Sequence, residues 1–163
     1  MKSNGAVDSA AGQALQENDA SFTPHRRYVM VLCLCLVLFV FRVLAQLVQL
    51  HFALDFLPPF QAWYSGALAY PWLLSAQGLI IALMVWTVAG FVRDRWVPNR
   101  RWGLFWSMLG LAYFVVMLVR LVLSLTIAPP GSWWHAPIPA FFHLVLASFV
   151  LTVGHFHITT TKR

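Results

Sequence analysis

Four long apolar segments constrain this chain more than any other feature of its sequence. They cover approximately residues 28–50, 70–92, 102–127 and 139–156. Each has the roughly 20 apolar residues that a helix needs to cross a hydrocarbon core about 30 Å thick. Because 60% of the residues are hydrophobic and only 10% are charged, there is too little polar surface to cover a soluble globule. The sequence therefore predicts an all-α integral membrane protein, a bundle of four transmembrane helices.

The remaining segments indicate one membrane domain with two short tails. Residues 1–25 are rich in Ser, Ala, Asn, Gln and Gly and lack the apolar stretch of a secretory signal, so we expect a disordered cytoplasmic tail. Residues 26–158 form the predicted membrane domain, and residues 159–163 a second cytoplasmic tail. Between the first two spans, the paired prolines and aromatic residues of HFALDFLPPFQAWYSGAL favour a bent segment at the membrane interface.

The basic residues outside the spans predict the orientation. They precede the first span, separate the second from the third and follow the fourth: Lys2, Arg26, Arg27, Arg93, Arg95, Arg100, Arg101, Lys162 and Arg163. The two other loops contain neither lysine nor arginine, so the positive-inside rule places both termini in the cytoplasm, with two in-out-in hairpins. We expect a multi-pass protein of a bacterial inner membrane. The chain has a net charge of +6, but these loop residues are scattered and form no basic face interleaved with aromatics, so no nucleic-acid partner is expected.

Two arginines lie inside the predicted spans, where topology does not explain them. Arg42, in the stretch FVFRVLAQLVQLH, lies roughly 12 Å from the outer end of its span, and Arg120 roughly 10 Å from that of its own, at 1.5 Å per residue. Gln77 and His143, counted from the outer starts of the second and fourth spans, fall at a similar depth. Gln46 shares a face with Arg42, because residues i and i+4 stack on one side of a helix. The sequence thus predicts a polar layer to which every span contributes.

A purely structural role for this layer is one interpretation. Arginines within about 10 Å of the interface can extend to the headgroups, and glutamine and histidine can bond across helices. The charge balance favours a ligand, because Asp55 is the only acidic residue on the predicted outer side and a buried unpaired charge is costly. We therefore expect an anionic or carbonyl-bearing amphiphile, such as a lipid headgroup or a quinone, at Arg42 and Arg120. The two glutamines and the histidine of the layer would orient it.

Two other functions fit parts of the pattern. His51 and His143, on different spans, would suit a bis-histidine haem b in an electron-transfer protein, although His51 lies nearer the interface. A Soret band that shifts on reduction would distinguish this function. The other alternative is a structural or accessory subunit whose polar layer binds a partner helix, in a homo-oligomer or a larger membrane complex. The spans contain no nucleophile-base pair, phosphate-binding loop or paired carboxylates, so no enzymatic activity is predicted.

The two hairpins share a limited similarity. RRYVM, with Arg42 later in its helix, parallels RRWGL, with Arg120 later in its helix, and a Pro-Pro pair follows each helix. A repeat of this kind would place the two arginines at equivalent positions around an axis along the membrane normal. Because flanking basic pairs also arise from topology alone, the sequence leaves open whether the hairpins are a true repeat.

Overall fold

The computed structural model describes residues 4–52, 54–63, 69–127 and 136–161, and within them every regular element is a helix. The helices are α1 (Asn4–Phe52), α2 (Phe60–Trp63), α3 (Tyr70–Val92), α4 (Arg100–Thr126) and α5 (Pro137–Thr160). Four stretches are long and apolar enough to cross a membrane, namely His25–Phe52 within α1 and the whole of α3, α4 and α5. The expected all-helical fold with four candidate spans is therefore confirmed.

Local signals set where the later helices begin. Asn99 caps α4, because its Oδ1 accepts a hydrogen bond of 3.0 Å from the backbone nitrogen of Arg101. The helix consequently begins at Arg100, slightly before the predicted span. α5 begins at Pro137, where the missing amide proton of proline costs nothing. Both starts lie a little upstream of the boundaries that hydropathy alone predicts.

α1 extends far upstream of the first predicted span. It begins at Asn4, inside the segment 1–25 that composition predicts as a disordered tail. The stretch AAGQALQEN in this segment is rich in residues of high helix propensity, so a helical conformation is locally favourable there. The mobility and the cytoplasmic location of the tail stay predictions.

The four long helices alternate in direction and pack in the spatial order α3, α1, α5, α4. At one end of the bundle, His25 Nε2 lies 3.1 Å from Asp94 Oδ1, and the Tyr28 hydroxyl bonds His155 Nδ1 at 2.9 Å. These contacts bring the start of the first span together with the ends of α3 and α5. We call this the basic end, since it carries Arg26, Arg27, Arg93, Arg95, Arg100 and Arg101. The opposite end, where α2 lies, is called the loop end.

α3 and α4 leave a cleft between them. α1 packs directly on α5, whereas the described residues of α3 and α4 make no direct backbone contact. A two-fold repeat of the hairpins would pair α3 with α4 just as it pairs α1 with α5, so the helix packing departs from that symmetry. The resulting α3–α4 cleft has a volume of about 590 Å³, and α5 forms its floor.

Small residues allow α4 and α5 to approach closely. Gly103 and Gly110 of α4 and Gly154 of α5 are all buried. A Cβ atom at Gly154 would lie 2.6 Å from the backbone nitrogen of Ser107, and one at Gly110 would lie 3.0 Å from that of Leu151. Lipid tails are as apolar as leucine, so helices in a bilayer associate largely through such close van der Waals packing. These glycines therefore position α4, and with it Arg120, against α5.

Candidate functional site

Arg42 is the centre of a buried polar cluster in the half of the bundle toward the loop end. Its side chain is only 5% exposed, and its guanidinium carbon lies 5.8 Å from the ring centre of Phe142. Its Nη2 donates to the carbonyl oxygen of Trp63 at 3.5 Å, which is long for a hydrogen bond, and its Nε is buried without a hydrogen-bond partner. Among the described residues no carboxylate pairs with Arg42, and Asp55 is exposed in the turn after α1. The guanidinium thus has hydrogen-bonding capacity that the described protein groups leave unused.

The segment between α1 and α3 covers Arg42. Trp63, at the end of α2, is buried and stacks on Phe142 with ring centres 6.4 Å apart. Its indole Nε1 donates to the carbonyl oxygen of Pro58 at 2.9 Å, so one of the paired prolines fixes the indole in place. Gln49 secures the start of this segment, because its Oε1 accepts a backbone N–H of the following turn at 3.1 Å. The bent segment therefore shields the guanidinium, which does not extend to the surface as the structural interpretation requires.

Gln46 and Gln77 join α1 to α3 one helical turn from Arg42. Gln77 Nε2 donates to Gln46 Oε1 at 3.2 Å, and the two side chains are 3% and 1% exposed, respectively. Gln46 is buried on the same face of α1 as Arg42, as their spacing predicts. Its Nε2 has no hydrogen-bond partner among the described residues. This side of the cluster therefore offers a second buried donor.

The other half of the cluster lies between α4 and α5. The Tyr113 hydroxyl and Nδ1 of His143 share a hydrogen bond of 2.6 Å. Arg120 is partly buried and interacts electrostatically with Tyr113. His143 lies within electrostatic reach of both Arg42 and Arg120. Direct contacts therefore join α1 to α3 through the two glutamines, and α4 to α5 through Tyr113 and His143. Arg42 contacts α5 at Phe142, the residue before His143.

Phe142 and Trp63 were not predicted from the sequence, whereas helix spacing predicts Tyr113 on the face of Arg120. Tyr113 holds His143, Phe142 lies beneath Arg42, and Trp63 covers it. A signal for Tyr113 was present, because it lies seven residues before Arg120 and such residues share a helix face. Trp63 and Phe142 carried no comparable signal, since aromatic residues occur at the boundaries of any membrane bundle.

His51 lies apart from the cluster. It is exposed near the end of α1, and its Nδ1 lies 3.0 Å from the carbonyl oxygen of Leu47, one turn earlier. Among the described residues no contact joins His51 to His143, and nowhere in that part of the chain do three His, Cys, Asp or Glu side chains form a possible metal site. Haem ligation by these two histidines therefore stays a prediction that no observed contact supports.

The α3–α4 cleft leads away from the cluster toward the basic end. Tyr113 lines the cleft near the cluster, and Trp102 and Asn99 line it at the basic end. Trp102 and Tyr113 are about 16 Å apart along α4 at 1.5 Å per residue. The described lining between them consists mainly of tryptophan and aliphatic side chains. The volume of about 590 Å³ falls within the range of roughly 300 to 1,000 Å³ that is typical of small-molecule sites.

Tyr113 connects the cluster to the cleft, because its hydroxyl bonds His143 and its side chain lines the cleft. The cluster offers cationic and neutral donors, and the cleft is mainly apolar. No protein-family model, curated protein or solved structure matches this chain. The chemistry of these side chains is therefore the basis for assigning a function.

Proposed function

We propose that this protein binds an anionic or carbonyl-bearing amphiphile, with the polar head at the Arg42 cluster and the apolar chain in the α3–α4 cleft. The observation that carries the proposal is the buried guanidinium of Arg42, which has no carboxylate partner among the described residues and an unpartnered Nε. Burying a charge without a partner costs roughly several kcal/mol of free energy. A ligand oxygen that pairs with the guanidinium would offset this cost, so it would be bound strongly. Arginine suits such an oxygen because its planar fork donates two hydrogen bonds at once.

The cluster suggests a division of roles. Arg42 and Arg120 contact the ligand oxygens, while His143, held by Tyr113, orients the head. Gln46 lies one helical turn from Arg42 and is bonded to Gln77, and the Nε2 of Gln46, which has no partner among the described residues, supplies a neutral donor. A lipid headgroup and a quinone both combine oxygen acceptors with a long apolar chain, and the cleft has the lining that such a chain requires.

We further propose that the chain is a multi-pass protein of a bacterial inner membrane with both termini in the cytoplasm. The arginines of the basic end support this orientation through the positive-inside rule, and the Arg42 cluster then lies in the outer half of the bilayer. A reporter that is active only in the cytoplasm should be active when it is fused after Arg163. A reporter that is active only outside the cytoplasm should be active when it is inserted between Pro58 and Pro59. The reverse pattern of activity would contradict this topology.

Ligand retention tests the proposed binding site. We expect the wild-type protein, purified in mild detergent, to release a defined lipid or quinone on organic extraction, which mass spectrometry identifies. The double variant Arg42→Gln/Arg120→Gln should retain at least about a hundredfold less, because each lost charge-assisted hydrogen bond is worth roughly tenfold or more in affinity. Each single variant should show an intermediate loss.

The matched control is Arg93→Gln/Arg95→Gln, which removes the same charge from exposed positions at the basic end. It should retain the ligand at the wild-type level, and all variants should elute as a single species on size-exclusion chromatography. Equal retention by the folded Arg42→Gln/Arg120→Gln variant and the wild type would exclude the site.

A further inference from the structure

A second groove lies at the basic end, between α1 and α4. It has a volume of about 600 Å³, and α5 forms its floor. Apolar side chains, including Val31 and Leu151, make up much of its wall. Arg27, Tyr28 and His155 also line it. We call it the α1–α4 groove, and the α3–α4 cleft shares none of these residues.

Hydrogen bonds fix the imidazole of His155 in this groove. The Tyr28 hydroxyl lies 2.9 Å from His155 Nδ1 and 3.1 Å from Oγ1 of Thr159, so both partners lie on one turn of α5. Nε2 of His155 forms no hydrogen bond with the described residues, and the side chain is exposed. Arg27 is also exposed and has no ion pair among the described residues. The groove therefore presents a guanidinium and an oriented imidazole at its basic end.

Arg100, exposed at the start of α4, is a second guanidinium that helix periodicity places beside the groove. Residues 100, 104, 107 and 111 form one stripe of α4, because positions i, i+4, i+7 and i+11 share a helix face. Ser107 of this stripe lines the α1–α4 groove, whereas Trp102 and Trp106, on another face, line the α3–α4 cleft. By this periodicity Arg100 flanks the groove on the α4 side, at the same end of the bundle as Arg27, which lines the groove.

We propose that the α1–α4 groove binds an anionic phospholipid, with its phosphate held by Arg27, Arg100 and His155. Two guanidiniums and an imidazole match the several acceptor oxygens of a phosphodiester. Basic pockets between transmembrane helices on the cytoplasmic side are typical sites for anionic headgroups. The apolar wall around Leu151 gives an acyl chain a surface to follow, which an inorganic phosphate would not use. This site is independent of the ligand proposed at Arg42.

Native mass spectrometry of the full chain in mild detergent tests the groove. Delipidated protein is titrated with phosphatidylglycerol or with phosphatidylcholine of the same acyl composition. We expect the wild type to prefer phosphatidylglycerol, and Arg27→Gln/Arg100→Gln to lose about tenfold or more in affinity for it. The matched control is Arg26→Gln/Arg101→Gln, which removes the same charge from neighbouring exposed positions. It should keep the wild-type preference.

Three results would overturn the proposal. An equal loss in both double variants would show that only the overall charge of the basic end matters. Equal binding of the two lipids by the wild type would show no recognition of an anionic headgroup. Displacement of phosphatidylglycerol by an equal concentration of inorganic phosphate would show that the groove binds phosphate and not a lipid. Retained affinity in Arg27→Lys/Arg100→Lys would support the proposal from a variant that preserves the charge.

Discussion

Replacing Gly154 with leucine should separate α4 from α5 and leave little folded protein in mild detergent. A Cβ atom at this position would lie 2.6 Å from the backbone nitrogen of Ser107 and 3.0 Å from its Cα. Backbone atoms cannot rotate away as a side chain would, so the helices themselves must move apart. Among the described helices α4 packs on α5 alone, so no other helix holds it in place. We expect a loss of about 3 kcal/mol or more, the upper part of the range for overpacking.

Gly78→Leu is the matched control for Gly154→Leu. Gly78 also lies within a candidate membrane span, but a Cβ atom there would have no neighbour within 4 Å. The variant should therefore keep the wild-type yield of monodisperse protein and the wild-type midpoint of unfolding in sodium dodecyl sulfate. Equal destabilisation by the two substitutions would mean that the close approach of α4 to α5 does not hold the bundle together.

The four spans were predictable because crossing a bilayer demands a long apolar segment, and hydropathy reports length and apolarity directly. The predicted range 70–92 coincides with α3, for example. The order in which the helices pack was not predictable. Leu32 is fully buried and Leu34 is 58% exposed, although both are leucines on the same helix. In a bilayer the lipid-facing side of a helix is as apolar as its buried side, so the sequence pattern does not mark the contact face.

The polar side chains of the cluster stood out in the sequence because polar groups are rare and expensive inside a bilayer. The spacing of Arg42 and Gln46 correctly predicted that they share a buried face. The aromatic contacts of Arg42, and its cover by Trp63, depend on where a loop folds back, which local patterns do not encode. The α3–α4 cleft was likewise not predictable, since it exists because the described residues of α3 and α4 do not pack against each other.

Replacing Arg42 with methionine should make the ligand-free protein more stable and, at the same time, insensitive to ligand. Methionine is a flexible apolar side chain that fills much of the same space. The substitution removes a buried charge whose described contacts are one long hydrogen bond to Trp63 and the ring of Phe142. Exchanging buried ionic groups for apolar ones often stabilises a protein, by about 1 to 4 kcal/mol. We expect a gain in that range for the delipidated protein.

A purely structural role for Arg42 predicts the opposite sign. If the guanidinium mainly connects α1 to the covering segment and to Phe142, then Arg42→Met should destabilise the delipidated protein by about 1 to 2 kcal/mol. The free energy of unfolding in sodium dodecyl sulfate, measured with and without the organic extract of the wild-type preparation, separates the two roles. A bound ligand at a hundred times its Kd should stabilise the wild type by about 2.7 kcal/mol and leave the variant unchanged.

Arg93→Met shows what the loss of a positive charge does by itself, because Arg93 is exposed at the basic end. This control should match the wild type both in stability and in its response to the extract. If Arg42→Met is less stable than the control and the extract still stabilises it, then Arg42 acts as a structural connection and binds no ligand. A more stable Arg42→Met variant that does not respond would mean that the protein retains a destabilising buried charge because that charge binds the ligand.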